Sequence, residues 1–427
     1  SISKIADCGP QEMANIAWSF AALVLADMPL RDALASEARA KLSVFDAQHL
    51  ANTPWSWAAL ALQDHPLLAS LAASALRILC DYTMQELSNS AWACATLTDA
   101  NVPLLDAIAA QARAILLVEK QHALVHSKGQ LYGHLELALL FEVNMGELAW
   151  SYTFVSQADR PFLRDVRAAC LEIGRAFDDH HKLWQEHPGV RCPLPRTPPG
   201  VVEPTIPHLL AGMCLVLKPP GWEVDSEGNS GIRHLSGFIQ AALPPDRRFV
   251  ALRPDFSFGF IHRLDTPSSG LILTATSFEG YCCLEWQMYT YEIAREYYVV
   301  GHGVARVVAW RVEKRIFDTH VAAVADNGRP AQSHIRFIAD AGLIDRTGVE
   351  GLCTVDIRIH TGRRHQIRVH MRYCGCPSVA DSRYGPDSRL FLRPSLCMSL
   401  RAQLAARAPP RPGPRPELTH AGGSGAR

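Results

Sequence analysis

The chain has 427 residues, of which 48% are hydrophobic, and its formal net charge is +0. This length predicts two or three domains, each with a core of its own. No apolar run reaches the roughly 18 residues that a membrane span needs, and no signal peptide is visible at the start, so we expect no membrane partner. The 12 cysteines are scattered along the chain, which indicates a reducing compartment rather than a disulfide framework.

The first part of the chain is repetitive. The segments MANIAWSFAAL, LANTPWSWAAL and LSNSAWACATL align on Trp18, Trp55 and Trp92, which are spaced 37 residues apart, and GELAWSYTFV adds Trp150 at an irregular distance. A strict period of this size is typical of stacked helical repeats with two helices in each unit. The pattern resembles the octotricopeptide-like repeats of organellar RNA-associated proteins over residues 10–155. It leaves open whether these repeats bind RNA or a protein partner.

Charge is distributed unevenly along the chain. From residue 201 onward there are 27 Lys and Arg against 21 Asp and Glu, and all of these cations except Lys218 and Lys314 are arginines. The first 200 residues hold 15 basic and 21 acidic side chains. Arginine suits bidentate contacts with phosphate and base edges, so the second part of the chain is the better candidate for nucleic-acid binding.

A proline-rich segment separates the two parts. HPGVRCPLPRTPPGVVEPTIPH holds seven prolines in 22 residues, which excludes a helix or a central strand. We therefore predict a helical-repeat domain at 1–185, a Pro-rich linker at 186–207, a catalytic domain at 208–400 and a disordered tail at 401–427.

The second domain is predicted to contain more strands than helices. CLVLKPPGWEV indicates strand, turn and strand, and GFIHRL and GLILTAT indicate strands flanking a Pro-Ser-Ser-Gly turn. REYYVVGHG, SHIRFIA and LCTVDIRI are further strands, whereas SFEGYCCLEWQMYTYE and RHQIRVHMRYCG indicate helices, the second closed by Gly375. The sequence thus predicts a multidomain protein, with an all-α repeat array followed by an α+β domain that has a mixed, largely antiparallel sheet.

Four motifs of this domain carry a second resemblance. HRLDTPSSGLIL resembles the catalytic motif of the RluA-type pseudouridine synthases, and LVLKPPGWEV, REYYVVGHG and HTGRRHQIRVHMRYCGCPSVADSRYG resemble three other landmarks of that family in the same order. The resemblance covers residues 208–395. It implies an isomerase that converts uridine in RNA to pseudouridine, without a cofactor and without a metal.

The resemblance assigns catalytic roles to Asp265, Tyr297 and Arg368. Breaking the glycosidic bond and rejoining the uracil through carbon needs a carboxylate that attacks ribose or uracil, or that stabilises the developing charge. Asp265 would be this carboxylate, and Arg368 would keep it ionised through an ion pair. Tyr297 would stack on the uracil and act as a base toward a ribose proton. The target base would have to flip out of its stack.

Further residues are expected to contact the RNA. Between Arg358 and Arg372 the chain has five arginines, three histidines and no acid, which favours phosphate contact. The predicted RNA-binding residues are His262, Arg263, Arg363, Arg364, His365 and Gln366. A zinc site among the histidines and cysteines of this segment is the alternative, but their spacing matches no common zinc motif.

The sequence therefore predicts an RNA pseudouridine synthase fused to a helical-repeat adaptor, monomeric and intracellular. The alternative is a binding protein whose synthase domain no longer reacts. Whether the target is rRNA, tRNA or mRNA stays open, and so does the compartment, either an organelle or the cytoplasm and nucleus.

Overall fold

The chain divides into two compact units, Ser1–Ile293 and Ala294–Arg427. The division falls inside the predicted catalytic domain, while the predicted linker up to residue 201 and the predicted tail lie outside the described residues, so the domain limits stay predictions. The computed structural model describes residues 2–23, 28–97, 101–126, 144–156, 160–180, 202–224, 233–303, 309–317, 321–325, 328–345, 348–379 and 381–385.

The first unit begins with pairs of helices. They are α1 (Pro10–Ala22), α2 (Met28–Lys41), α3 (Ala47–Ala59), α4 (His65–Ile78), α5 (Met84–Leu97), α6 (Val102–His126), α7 (described over 144–154) and α8 (Arg160–His180). The first helices of three successive pairs, α1, α3 and α5, start 37 residues apart, and so do the second helices, α2, α4 and α6. The structure therefore repeats with the same period as the tryptophans.

Side chains at equivalent positions hold successive repeats together. α1 packs on α3 and α3 on α5, while α2 packs on α4 and α4 on α6. The rings of Trp55 and Trp92 lie 5.9 Å apart, and the side chain of Asn89 donates to that of Asn52. Small alanines on the inner helix faces allow this close approach, which is the packing expected of a helical array.

A small antiparallel sheet follows in the same unit. It consists of β1 (Thr205–Leu209), β2 (Met213–Lys218) and β5 (Gly270–Ala275), with β2 in the centre. Pro207 lies in the edge strand, where the register shifts between Thr205 and His208, and an edge strand tolerates the missing donor. The short strands β3 (Trp222–Glu223) and β4 (Arg233–His234) pair in parallel, and the helices are α9 (Leu235–Ala242) and α10 (Phe278–Tyr289).

One expected strand of this sheet is absent. The prediction that GFIHRL forms a strand was wrong, because Phe260 makes only an isolated bridge to Thr274. Ser257 and Phe258, directly before this segment, have left-handed backbone conformations with φ angles of 48° and 54°. A β-strand requires negative φ angles, so no strand runs through these residues into the segment. The imidazole of His262 then accepts the backbone N–H of Leu273, in place of a carbonyl from a neighbouring strand.

The second unit is built on a four-stranded antiparallel sheet of order β6-β11-β10-β7, which confirms the predicted fold class. The strands and helix of this unit are β6 (Arg295–His302), β7 (Ala309–Val312), β8 (Ile316–Phe317), β9 (Ala323–Val324), β10 (Ser333–Asp345), β11 (Gly348–Ile359) and α11 (Gln366–Tyr373). Val355 and Ile357 of the central strand pack with Met371 of α11 to form the core. α11 ends before Gly375, whose φ is 77°, as the sequence predicted.

Candidate active site

Asp265 lies in the turn that connects the His262 segment to β5. The backbone N–H of Ser268 donates to the carbonyl of Asp265 at 2.9 Å, which closes the turn. The backbone N–H of Gly221 donates to the carbonyl of Thr266 at 2.8 Å and ties the turn to the loop that follows β2. The Asp265 side chain is half-buried, so a fixed backbone presents a short carboxylate that still reaches the surface.

Lys218, the last residue of β2, contacts the same turn through its buried side chain. Its side chain has 0% exposure, and its ammonium group donates to the carbonyls of Asp265 and Thr266, both at 3.1 Å, and also to that of Ser268. Burial lowers the pKa of Lys218 to about 8, while the nearby charge of Asp265 raises it. A buried cation therefore fixes the backbone of the turn.

This role of Lys218 was not predicted from the sequence. A signal was present, because a lysine ends an otherwise apolar strand directly before Pro-Pro-Gly. The alternation of the strand places this lysine on the buried face, where its charge needs hydrogen-bond partners. The two predicted RNA contacts of this unit, His262 and Arg263, lie just before the turn. Arg263 is exposed, whereas His262 is half-buried and anchored to β5 through Leu273.

In the second unit, Tyr297 lies on β6 opposite Ile357 of β11. Its ring is partly buried against the hydrophobic core that includes Met371. Burial raises the pKa of Tyr297, although the nearby Arg295 lowers it in part. The hydroxyl is therefore protonated at neutral pH. It can accept a proton from the substrate only if it donates its own proton to another group in the same step.

Arg368 of α11 forms a two-point ion pair with Asp381. The Nε and Nη2 groups donate to the two carboxylate oxygens at 2.7 and 2.6 Å. Burial raises the pKa of Asp381, but hydrogen bonds from Arg368 and from the backbone of Arg383 and Tyr384 outweigh it and hold the pKa below its usual value. Such a charge-assisted pair fixes the direction of the guanidinium.

Tyr384 extends this arrangement to His365. The guanidinium of Arg368 lies 4.8 Å from the centre of the Tyr384 ring, and the Tyr384 hydroxyl is hydrogen-bonded to Nδ1 of His365 at 2.8 Å. The roles of Asp381 and Tyr384 were not predicted, although both lie in DSRYG, the end of the motif HTGRRHQIRVHMRYCGCPSVADSRYG. The expected ion pair between Arg368 and Asp265 joins residues of the two units and stays a prediction.

The remaining predicted contacts differ in how far they reach solvent. Arg364 is exposed and Arg363 is half-buried, with its Nε group donating to the carbonyl of Pro330 at 2.9 Å. Gln366 is only 2% exposed, and its side-chain amide is engaged inside the protein at both ends. The partners of that amide are Thr361, the backbone of Arg363, the backbone of Gln332 and Ser333. Gln366 therefore shapes the loop before α11, and its contact with RNA stays a prediction.

Two further findings concern the residues that the structure describes. Among these residues, no group of three or more His, Cys, Asp and Glu side chains is arranged to hold a metal ion. No helix in the described part of the chain is both long and apolar enough to cross a membrane.

Comparison with known proteins gives a family for the part of the chain that carries these groups. Residues 213–373 match the family model of RNA pseudouridylate synthases. This segment is similar to that family, and the match covers less than half of the chain. The matched residues include Lys218, Asp265, Tyr297 and Arg368, and the match ends before Asp381.

Curated relatives agree with this assignment. Ribosomal large subunit pseudouridine synthase C of Vibrio cholerae is 33% identical over 187 residues, which is 42% of this chain and 50% of that one. Ribosomal large subunit pseudouridine synthase D of Xanthomonas campestris is 33% identical over 31% of this chain and 38% of its own. The chain thus spans half or less of the length of these relatives.

A solved structure of human RNA pseudouridylate synthase domain containing 1 is 20% identical, with a TM-score of 0.35, and covers 45% of this chain and 74% of that one.

Proposed function

We propose that the protein is an RNA pseudouridine synthase, which isomerises uridine in RNA to pseudouridine with Asp265 as the reacting carboxylate. The observation that carries this proposal is the turn of Asp265, held by the buried Lys218 within the family segment. A catalytic carboxylate must be aimed by a rigid frame, and Lys218 holds the backbone of that frame.

The other catalytic residues are assigned by the family resemblance and by their own surroundings. Tyr297 offers a ring for stacking on the uracil and a protonated hydroxyl that can relay a ribose proton. Arg368, oriented by Asp381, supplies a fixed positive charge. We propose no metal and no cofactor, because the isomerisation is redox-neutral and needs only acid–base and nucleophilic groups.

The substrate class is RNA, and rRNA is the first candidate because the curated relatives are named for the large ribosomal subunit. We propose Arg263, Arg363, Arg364 and His365 as contacts to its backbone, since they are exposed or half-buried cationic or polar side chains. The helical repeats would act as an adaptor for RNA or for a protein partner. We further propose an intracellular monomer.

The test compares Asp265→Asn with the wild type and with Asp246→Asn as a matched control, since Asp246 is an exposed carboxylate of the same unit. Pseudouridine is mapped by carbodiimide labelling and primer extension on total RNA from cells lacking the protein, after addition of each variant. We expect Asp265→Asn to bind RNA and form no pseudouridine, while Asp246→Asn behaves as the wild type. Turnover by Asp265→Asn would contradict the assignment, and a wild-type protein that binds RNA without modifying it would favour the binding-protein alternative.

A further inference from the structure

The chain enters the Asp265 turn through a strained run of residues. Ser257, Phe258 and Gly259 are all left-handed, with φ angles of 48°, 54° and 86°. Such a conformation is unfavourable for a serine and more so for a phenylalanine, so it persists only where the surroundings enforce it. The chain continues from this run to Asp265. On the way, Phe260 forms its bridge to Thr274, and His262 accepts the hydrogen bond from Leu273.

Aromatic packing is what enforces the run from its N-terminal side. The ring of Phe256 has 0% exposure and packs edge-on against three other rings. Its centre lies 4.9 Å from that of Phe278, 5.2 Å from that of Tyr281 and 6.0 Å from that of Phe177. Phe278 and Tyr281 belong to α10, whereas Phe177 comes from α8, the last helix of the helical array.

α8 is tightly docked where it makes this contact. The Asp178 carboxylate accepts the backbone N–H groups of Phe278 at 2.8 Å and of Glu279 at 2.9 Å, and so caps the start of α10. A side chain at Gly174 would come within 2.6 Å of the Glu279 backbone, so the two helices meet there backbone to backbone. Arg175 adds an ion pair to Glu279 at 2.7 Å.

From these contacts we infer that α8 positions the Asp265 turn, with Phe177 as the positioning residue. Phe177 acts through Phe256 on the strained run, and Asp178 keeps α8 and α10 in register so that the ring stays in place. The helical array thereby contributes to catalysis itself as well as to any binding. This inference rests on the proposed function of Asp265.

A matched pair of substitutions on the same helix tests it. Phe177→Leu and Phe162→Leu remove the same atoms from side chains that are 7% and 0% exposed. Phe162 packs inside the array, with its ring 5.2 Å from that of Tyr152, and belongs to a different core cluster from Phe256. Both variants lose core packing, but only Phe177→Leu loosens the contact with the strained run.

The measurements are the single-turnover rate, the Kd for RNA and the hydrogen exchange of the Phe256, Phe258 and Phe260 amides, which bond to the carbonyls of Arg253 and Ser257. For Phe177→Leu we expect a rate lower by about 10-fold or more, faster exchange of these amides and an unchanged Kd. For Phe162→Leu we expect a lower unfolding temperature with wild-type rate and wild-type exchange in this segment. Phe177→Met, which retains more of the volume, should recover most of the rate.

Equal rates for Phe177→Leu and Phe162→Leu would overturn the inference, and so would unchanged exchange of the three amides in Phe177→Leu. If Phe177→Leu does not fold, Phe177→Met is compared with Phe162→Met by the same criteria. If the wild type forms no pseudouridine, the proposed function fails, while the exchange data still decide whether α8 holds the segment.

Discussion

Replacing Lys218 by methionine tests how the Asp265 turn is held. Methionine has a similar length and fits an apolar site, but it cannot donate to the carbonyls of Asp265, Thr266 and Ser268 that the ammonium group contacts. The substitution therefore removes the donor from the turn with little change in volume. The exposed Lys4, in the same unit, provides the control Lys4→Met.

Two opposing terms set the size of the effect. Three charge-assisted hydrogen bonds contribute about 1.5–3 kcal/mol each, so their loss costs roughly 5–9 kcal/mol. The lowered pKa of Lys218, about 8 against an ordinary value of 10.5, shows that the charge is itself costly to bury. That difference corresponds to about 3 kcal/mol, a cost that is absent when the uncharged methionine replaces Lys218. The free energy of unfolding should therefore fall by about 2–6 kcal/mol.

Catalysis should be impaired even in the fraction of Lys218→Met that is folded. A turn without its donor lets the Asp265 carboxylate move, and a displacement of about 1 Å costs roughly 100-fold in rate. Stability is measured by urea denaturation, and the single-turnover rate is measured at a temperature where Lys218→Met is folded. A folded Lys218→Met with the wild-type rate would refute the reasoning, even if its unfolding midpoint had dropped. Loss of rate in Lys4→Met would show that the assay reports general damage instead.

Three further predictions concern the Tyr297 hydroxyl, the pH dependence of stability and the removal of metal ions. Tyr297→Phe keeps the stacking face and loses the hydroxyl, so the rate should fall by about 100-fold with little change in the Kd for RNA, and a near-normal rate would leave stacking as the role of the ring. Burial lowers the pKa of His370, although the Lys314 carbonyl raises it in part. The neutral ring therefore contributes stability that is full above about pH 6.5 and is lost as the pH falls through the folded-state pKa. Urea denaturation at pH 7.5 and 5.5 should show this loss in the wild type and a smaller one in His370→Asn, and equal losses would contradict it. Dialysis against EDTA should leave pseudouridine formation unchanged, and activity restored only by zinc would contradict this.

Three strands and the helix of the second unit were predictable because local patterns determine them, whereas the shorter strands β7, β8 and β9 were not predicted. Alternating β-branched and aromatic residues predicted β6, β10 and β11, and Gly375 predicted the end of α11 because a left-handed residue there favours glycine. The 37-residue period likewise predicted the helix pairs before any contact was known, since a strict repeat implies a repeated structure.

The supports of the candidate site were not predictable from local patterns. The Asp178 cap on α10 joins residues 100 and 101 positions apart, and nothing in either segment alone indicates its partner. Lys218 depends on three carbonyls nearly 50 residues further along the chain. The burial of Gln366 was not predictable for the related reason that its place in an Arg-rich motif does not indicate which side chains of the loop are buried.

The identical spacing of the helix pairs bears on how such a chain can evolve. Because α3 contacts α1 and α5 through equivalent surfaces, duplication or deletion of one whole 37-residue unit would recreate the same interfaces on both sides. α8 has no such freedom, since its Gly174, Phe177 and Asp178 each fit a particular partner near α10. The array can therefore gain or lose a whole repeat with its interfaces intact, whereas a substitution at any of these three positions of α8 would disrupt its contact with the Asp265 half.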